Sequence, residues 1–364
     1  MVGIIVNCPN CKKSAKSVYK NKAMPYGISL KDIKIDIEIE YCVNCGFTFQ
    51  SSSYNEEYDF NISKLYESYT ISNMYNFPNR SITNIKALDF ISDNIDNEID
   101  FNVLEIGSNR GDFLYLLKEK FPNINILGCE PTNFKELSIP TINAFFDKNL
   151  FNTKFDLIIL RHTLEHIKNP KLFIEELEYL QKNSSKLFIE VPNIVYSLEN
   201  FIEDFTPDHV NFFDSSFLIN LVNKKVLKLD DREYLYVLFE NSKADEKSEK
   251  SSFNLIELFK TYEERVEQLL DKVSRYDRII FYGISNFYLW TFSKLKDKIK
   301  DKEVYFMDDF LKEDKINNLP KLDKLNKNDL VILCSSNKNI QRQMSEKLPK
   351  NISILYPWEK IINV

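Results

Sequence analysis

Two Cys-x-x-Cys pairs, Cys8-Pro9-Asn10-Cys11 and Cys42-Val43-Asn44-Cys45, carry the plainest chemistry in this sequence. Four thiolates on two tight turns can close a tetrahedral zinc site, and Pro9 and Gly46 suit such turns. Four sulfur ligands leave no open position, so the ion would be structural. The same thiols could form a redox pair or two disulfides, but the paired spacing favours zinc. A second constellation starts at the apolar run Val103-Leu104-Glu105-Ile106, which runs into Gly107 and Gly111. Glycines there let a ligand approach the backbone, and the helix that follows presents unpaired N–H groups at its start. Glu130 ends the next strand-like run, 124–129, where an acid can accept hydrogen bonds from both hydroxyls of a ribose. The spacing departs from Gly-x-Gly-x-x-Gly and leaves no pyrophosphate cradle, which points to a nucleoside ligand rather than a dinucleotide.

The chain has three histidines. His209 stands in the turn Thr206-Pro207-Asp208-His209 between Phe205 and Phe212-Phe213. A polar, proline-marked turn of this kind can face a substrate, which makes His209 the candidate general base with Asp208 to steer it. The other two fall in Arg161-His162-Thr163-Leu164-Glu165-His166, which contains the H-x-x-E-H of inverzincin metalloproteases. That chemistry needs both histidines inside a helix and a third ligand from elsewhere; here the motif directly follows an apolar strand. His166 therefore reads as a capping or packing residue, and His162 falls at the strand end.

The elements that position these residues follow from periodicity. A helix is expected over 79–95, then strands at 102–106, 124–129, 142–145, 155–160 and 186–191, with a helix over 113–120 and another starting at Leu164. Such alternation predicts a parallel sheet covered on both faces, whose ligands lie beyond the carboxyl ends of the strands. Glu105, Gly107, Gly111, Glu130, Asn143, Arg161 and His162 all fall at those ends. Upstream, Ile33, Ile35, Ile37 and Ile39 alternate with charged residues as a half-exposed strand leading into the second cysteine pair. Tyr54, Tyr58, Tyr66, Tyr69 and Tyr75 read as aromatic anchors of a surface segment, with a lid over substrate as the sharper alternative. The charged stretch 240–252 reads as a linker, followed by a helix burying Leu255, Leu258, Tyr262, Val266, Leu269 and Val273. Arg278-Ile279-Ile280-Phe281-Tyr282-Gly283 then opens a second, smaller α/β unit. Three parts result: a zinc-binding module over 1–60, a core over 61–252 and a terminal α/β domain over 253–364.

A chain of 364 residues, 43% hydrophobic, has ample core for two or three domains. It contains no run of 18 apolar residues and begins without the zones of a signal peptide, so a cytoplasmic location and no membrane partner are expected. The net charge of −6 and the absence of a basic cluster argue against a nucleic-acid partner and for a small-molecule substrate.

The run Leu104-Glu105-Ile106-Gly107-x-x-x-Gly111, Glu130, the strand Phe155-Asp156-Leu157-Ile158-Ile159-Leu160 and the following Leu164-Glu165-His166 together resemble the core of class I S-adenosylmethionine-dependent methyltransferases. That resemblance implies a Rossmann-like parallel sheet, with Glu105, Gly107, Gly111, Glu130, Asn143, Arg161 and His162 around the cofactor. With the cysteine module before it and the α/β unit after it, the chain resembles the three-part sugar C-methyltransferases of deoxysugar biosynthesis. In that family a nucleotide-linked keto-sugar lies between the core and the terminal unit, and the last histidine of a Tyr-His-Glu-His motif is the base. His209 takes that histidine's place and Asp208 the glutamate's, while Thr206 and Pro207 replace the tyrosine and first histidine. The resemblance implies methyl transfer to a nucleotide-activated sugar or related surface-polysaccharide precursor, onto carbon or oxygen. Two readings from other classes stand beside it: a zinc-module binding protein with an inactive methyltransferase fold, and the H-x-x-E-H protease.

Overall fold

The computed structural model describes residues 6–26, 30–56, 58–59, 78–98, 100–134, 138–200, 205–244, 254–284, 286–311, 314–316, 319–322, 324–335 and 338–356. These fall into two compact units. One comprises Met1–Lys16, Ile39–Tyr196 and Asp208–Phe253; the other comprises Ser17–Glu38, Ser197–Pro207 and Asn254–Val364. Tyr66, Tyr69 and Tyr75 lie outside the described residues. No helix among the described residues is long and apolar enough to cross a membrane.

The cysteine segment supplies β1 (Val6–Asn7), β2 (Ser14–Tyr26), β3 (Leu30–Tyr41) and β4 (Thr48–Gln50). Ile37 and Ile39 of β3 are buried while Asp36 is exposed, as the alternation predicts.

The first unit is organised on a seven-stranded sheet. Its strands are β5 (Asn102–Ile106), β6 (Asn125–Cys129), β7 (Thr141–Ile142), β8 (Phe155–Arg161), β9 (Gln181–Pro192), β11 (Lys224–Asp231) and β12 (Tyr234–Lys243). The short β10 (Asn211–Phe212) instead pairs with β4, Asn211 opposite Phe49. The order across the sheet is β11-β12-β9-β8-β5-β6-β7, with β5 to β9 parallel and the β11–β12 hairpin antiparallel. This is the class I methyltransferase sheet. Its central strands read as unbroken apolar runs because both faces are covered. Leu104, Ile106, Ile158, Leu160, Leu187 and Ile189 face one way. They pack under α3 (Pro170–Leu177), α5 (Ser215–Val222) and Phe47 and Phe49 of the cysteine segment. Val103, Leu157, Ile159 and Phe188 face the other way, under α1 (Pro78–Ile91) and α2 (Asp112–Lys120). The short helix α4 (Ile194–Asn200) follows β9.

Three elements differ from expectation, the first being the strand expected over 142–145, which is only Thr141–Ile142. Leu164–His166 forms one 3-10 turn rather than a helix start, because α3 begins at Pro170, where Asn169 accepts the Leu172 N–H as its cap. The β11–β12 hairpin was not read; β12 takes in the first residues of the stretch assigned to a linker, up to Lys243.

The second unit carries a parallel sheet in the order β14-β13-β17-β18: β13 (Arg278–Tyr282), β14 (Glu303–Met307), β17 (Leu330–Leu333) and β18 (Ser353–Leu355). A two-stranded ribbon, β15 (Lys315–Ile316) with β16 (Leu319–Pro320), lies in the same unit. Its helices are α6 (Leu255–Ser274), α7 (Asn286–Ile299) and α8 (Lys338–Glu346). The apolar face of α6 buries Phe259 and Tyr262 against Tyr19 and Phe205, a four-ring cluster. The turn after β13 repeats the turn after β5. Gly283 has φ +89 and donates to the Met307 carbonyl at 2.9 Å, and Gly107 has φ +74 and donates to the Cys129 carbonyl at 2.8 Å. Asp308 accepts the Ile284 N–H at 2.8 Å much as Glu130 accepts that of Asn109 at 2.9 Å.

Candidate cofactor, base and metal sites

The glycine turn is held from within the protein. A Cβ on Gly107 would stand 2.3 Å from Thr163 Oγ1, and one on Gly111 2.1 Å from Ile139 Cγ1, both at positive φ. Thr163 cannot readily yield, since its hydroxyl donates to the Ile106 carbonyl at 2.9 Å. The sequence asks for glycine here because neighbouring side chains fill the space, not only because a ligand might. The tight turn turns the Asn109 N–H onto Glu130 Oε2 at 2.9 Å, while Thr132 N–H meets Oε1 at 2.8 Å. A carboxylate has about four acceptor positions, so these two contacts leave one position open on each Glu130 oxygen. Asn143, just past β7, donates to the Thr132 carbonyl at 3.4 Å, closing the same end of the sheet.

Next along the strand ends is a buried charge network that the sequence did not disclose. The Arg161 guanidinium lies over the Phe113 ring at 4.2 Å, donates to Asn84 Oδ1 at 2.8 Å and pairs through Nε with Glu190 Oε2. Glu190 is fully buried, and Arg161 and His162 hold its carboxyl at about 2 against the opposing effect of burial. Glu105 is buried too, and burial raises its carboxyl to about 8 despite Arg161 nearby. Its Oε2 accepts no hydrogen bond among the described residues. His162 adopts φ +49, uncommon for a residue with a Cβ, and lies between two carboxylates: Nε2 is 3.3 Å from Glu190 Oε1 and Nδ1 is 3.4 Å from Glu165 Oε1. The loss of water around its partly exposed ring would by itself lower its pKa, but those two acids raise it to about 10.

All three histidines converge on Glu165. His166 Nδ1 lies 2.8 Å from the Asp208 carbonyl, and the His166 and His209 rings meet edge to face at 5.0 Å. His209 is brought there by the backbone, because Val210 N–H donates to the Glu165 carbonyl at 2.8 Å and Gln50 N–H to the Val210 carbonyl at 2.9 Å. His166, read from the sequence as packing, thus stands against the candidate base. The protease arrangement is not formed, since His162 and His166 do not share a helical face and turn to different partners.

The cysteine pairs form two matched turns. Lys12 N–H bonds the Cys8 carbonyl and Gly46 N–H the Cys42 carbonyl, with Lys12 at φ +63 and Gly46 at φ +80. Cys8 and Cys45 Sγ are 3.6 Å apart, and Cys11 and Cys42 Sγ 3.5 Å. Bonds of about 2.3 Å in a tetrahedron place sulfurs about 3.8 Å apart, so the donor set fits a structural zinc ion. Tyr54 of the tyrosine-rich segment donates to the Lys168 carbonyl at 2.8 Å, and Tyr58 is buried, which are anchor positions.

Residues 79–229 match the family model described as a methyltransferase domain. The matched stretch carries the strands whose order, given above, is that of the class I methyltransferase fold. A curated relative, (S)-tetrahydroprotoberberine N-methyltransferase of Eschscholzia californica, is 29% identical over 102 residues, which are 24% of this chain and 29% of the relative. The chain thus spans under a third of that relative's length. Among solved structures, the N-methyltransferase NodS of Bradyrhizobium japonicum with S-adenosyl-L-homocysteine is similar at 13% identity and TM-score 0.37, over 49% of this chain and 97% of that one. A possible histamine N-methyltransferase of Thermotoga maritima is similar at 14% identity and TM-score 0.35, over 44% and 89%.

Proposed function

We propose that the protein is an S-adenosylmethionine-dependent methyltransferase acting on a small nucleotide-linked sugar or related surface-polysaccharide precursor, with His209 as general base. The observation that carries this reading is the cradle at the ends of β5 and β6. Glu130 retains a lone pair on each oxygen for a ribose, and buried Glu105 offers an unpartnered oxygen to a cationic amino group. Asn143 would flank the adenine and Arg161 and His162 the methionine part. When bound, S-adenosylmethionine supplies a methyl group already activated by its sulfonium.

The chain's own task is then to orient the acceptor and remove its proton. A ring nitrogen of His209 takes the proton from the acceptor C–H or O–H, leaving the electron pair on that carbon or oxygen. Asp208 steers from the adjacent position, its carbonyl holding the His166 ring against His209. A structural zinc ion on Cys8, Cys11, Cys42 and Cys45 belongs to the same reading, as does the division into a zinc module, a methyltransferase core and a terminal α/β domain. The order of these parts and the Asp208-His209 pair support a sugar acceptor; Thr206 and Pro207 in place of the family's tyrosine and histidine leave carbon and oxygen both open.

Calorimetry with S-adenosylmethionine tests the cradle. Glu130→Ala removes charged acceptors worth about 1.5 to 3 kcal/mol, so affinity should fall at least about tenfold. Unchanged affinity removes Glu130 from the cofactor site. Screening nucleotide-linked sugars for consumption of S-adenosylmethionine then tests the acceptor class.

A further inference from the structure

The Glu165 carboxylate is 1% exposed, and among the described residues neither of its oxygens accepts a hydrogen bond meeting normal geometry. Its Oε1 has His162 Nδ1 as an ion partner at 3.4 Å, a ring that Glu165 shares with Glu190, so among the described residues Oε2 is the oxygen left without a partner. A buried carboxylate oxygen left so is costly unless a donor, a proton or a metal ion completes it. The surroundings favour a cation with further nitrogen ligands. The Asp208 carbonyl can only accept, so its 2.8 Å contact fixes the proton of neutral His166 on Nδ1 and leaves Nε2 with a lone pair. A backbone carbonyl on the far nitrogen is the usual outer partner of a metal-ligating histidine. One donor atom from each of Glu165, His166 and His209 lies within 4.8 Å of the others.

We propose that Glu165, His166 and His209 form a second metal site, taking one divalent transition-metal ion of the zinc or cobalt type. Two imidazoles and one carboxylate suit such ions better than magnesium or calcium, which prefer all-oxygen shells. Bonds of about 2.0 to 2.1 Å put tetrahedral donors about 3.4 Å apart, so a pair at the 4.8 Å limit closes by about 1.4 Å through rotation of partly exposed rings. Three protein ligands leave a fourth position for water or a ligand oxygen. The set is not that of an H-x-x-E-H protease: His162 is absent from it, and the glutamate is a ligand rather than a base. Metal and proton compete for His209, so a filled site silences the base. The inference stands apart from methyl transfer, because the metal alone reads it.

The experiment uses the full chain with its four-cysteine site first filled with zinc, then titrated with cobalt(II). The expected result is one further equivalent with d–d absorption of nitrogen and oxygen coordination and no thiolate charge-transfer band. Glu165→Gln and His209→Asn should each weaken that equivalent by about tenfold or more, ligand loss costing at least what loss of an outer partner does. Glu130→Ala should leave it unchanged while losing S-adenosylmethionine, which separates this inference from the cofactor reading. Should Glu165→Gln fail to fold by circular dichroism, His209→Asn decides alone. No further equivalent, a charge-transfer band growing with added cobalt, or a further equivalent that His209→Asn leaves intact overturns the proposal.

Discussion

At the scale of single residues, burial separates the acids of the sheet end into different roles. Glu190 is kept ionised by Arg161 and His162, whereas burial raises Glu105 to about 8, so at neutral pH it is largely protonated. A cationic amino group bound against Glu105 favours its carboxylate, so binding should expel a proton between the lowered pKa of the bound state and about 8. Calorimetry at about pH 6.5, in buffers of differing ionisation enthalpy, should therefore show proton release by the wild type and none by Glu105→Gln. At that pH the ligand's own amine, with an ordinary pKa of about 7.7 to 8.0, stays protonated in both experiments. Equal release by the two proteins removes Glu105 from the cofactor's charge. For His209 the expectation concerns turnover. His209→Asn should keep the fold and cofactor affinity and lower turnover by about 100-fold to 10,000-fold, the range for loss of a general base. A packing role predicts lost stability with near-normal turnover. With a carbon acceptor, the reacting C–H should also exchange with solvent without methyl transfer, and that exchange should vanish in the variant.

Elements explain why part of this site was legible and part was not. The strands at 102–106, 124–129 and 155–160 announce themselves as apolar runs, and their ends put Glu105, Glu130 and Arg161 on one edge. The β11–β12 hairpin hid because β11 mixes Lys224, Lys225 and Lys228 with apolar residues, as a partly exposed edge strand does. The approach of His209 to Glu165 and His166 was equally hidden, since it depends on hydrogen bonds between segments far apart in sequence, which no local period reports. Those bonds run through the cysteine segment. β4 follows the second cysteine turn directly, pairs with β10 and holds Val210, the residue after His209. Cys42→Ser, by loosening the turn that starts β4, should lower turnover through His209 by several-fold or more while changing S-adenosylmethionine affinity little, because the cradle lies on β5 and β6. Parallel losses of affinity and turnover would mean that the cysteine segment supports the whole sheet rather than the base.

For the whole molecule, the described residues divide into two compact units, one built on the mixed seven-stranded sheet and one carrying the four-stranded parallel sheet. Strand β2 begins in the first unit and ends in the second, a division that no composition shift marks. Every residue assigned to the cofactor, from Glu105 to His162, belongs to the first unit. A ligand that binds only the folded state stabilises what it binds by about 2.7 kcal/mol at 100 times its Kd. Amide hydrogen exchange under those conditions should therefore slow by up to about 100-fold across β5, β6 and β8, where opening of the first sheet is required. The same amides in Glu130→Ala should slow far less at equal ligand concentration. In β13 and β17 the rates should stay as they are without ligand, since Tyr282, Asp308 and their neighbours have no part in the cradle. An equal slowing in both sheets would mean that the two units open together, and the cofactor's stabilisation would then belong to the entire chain.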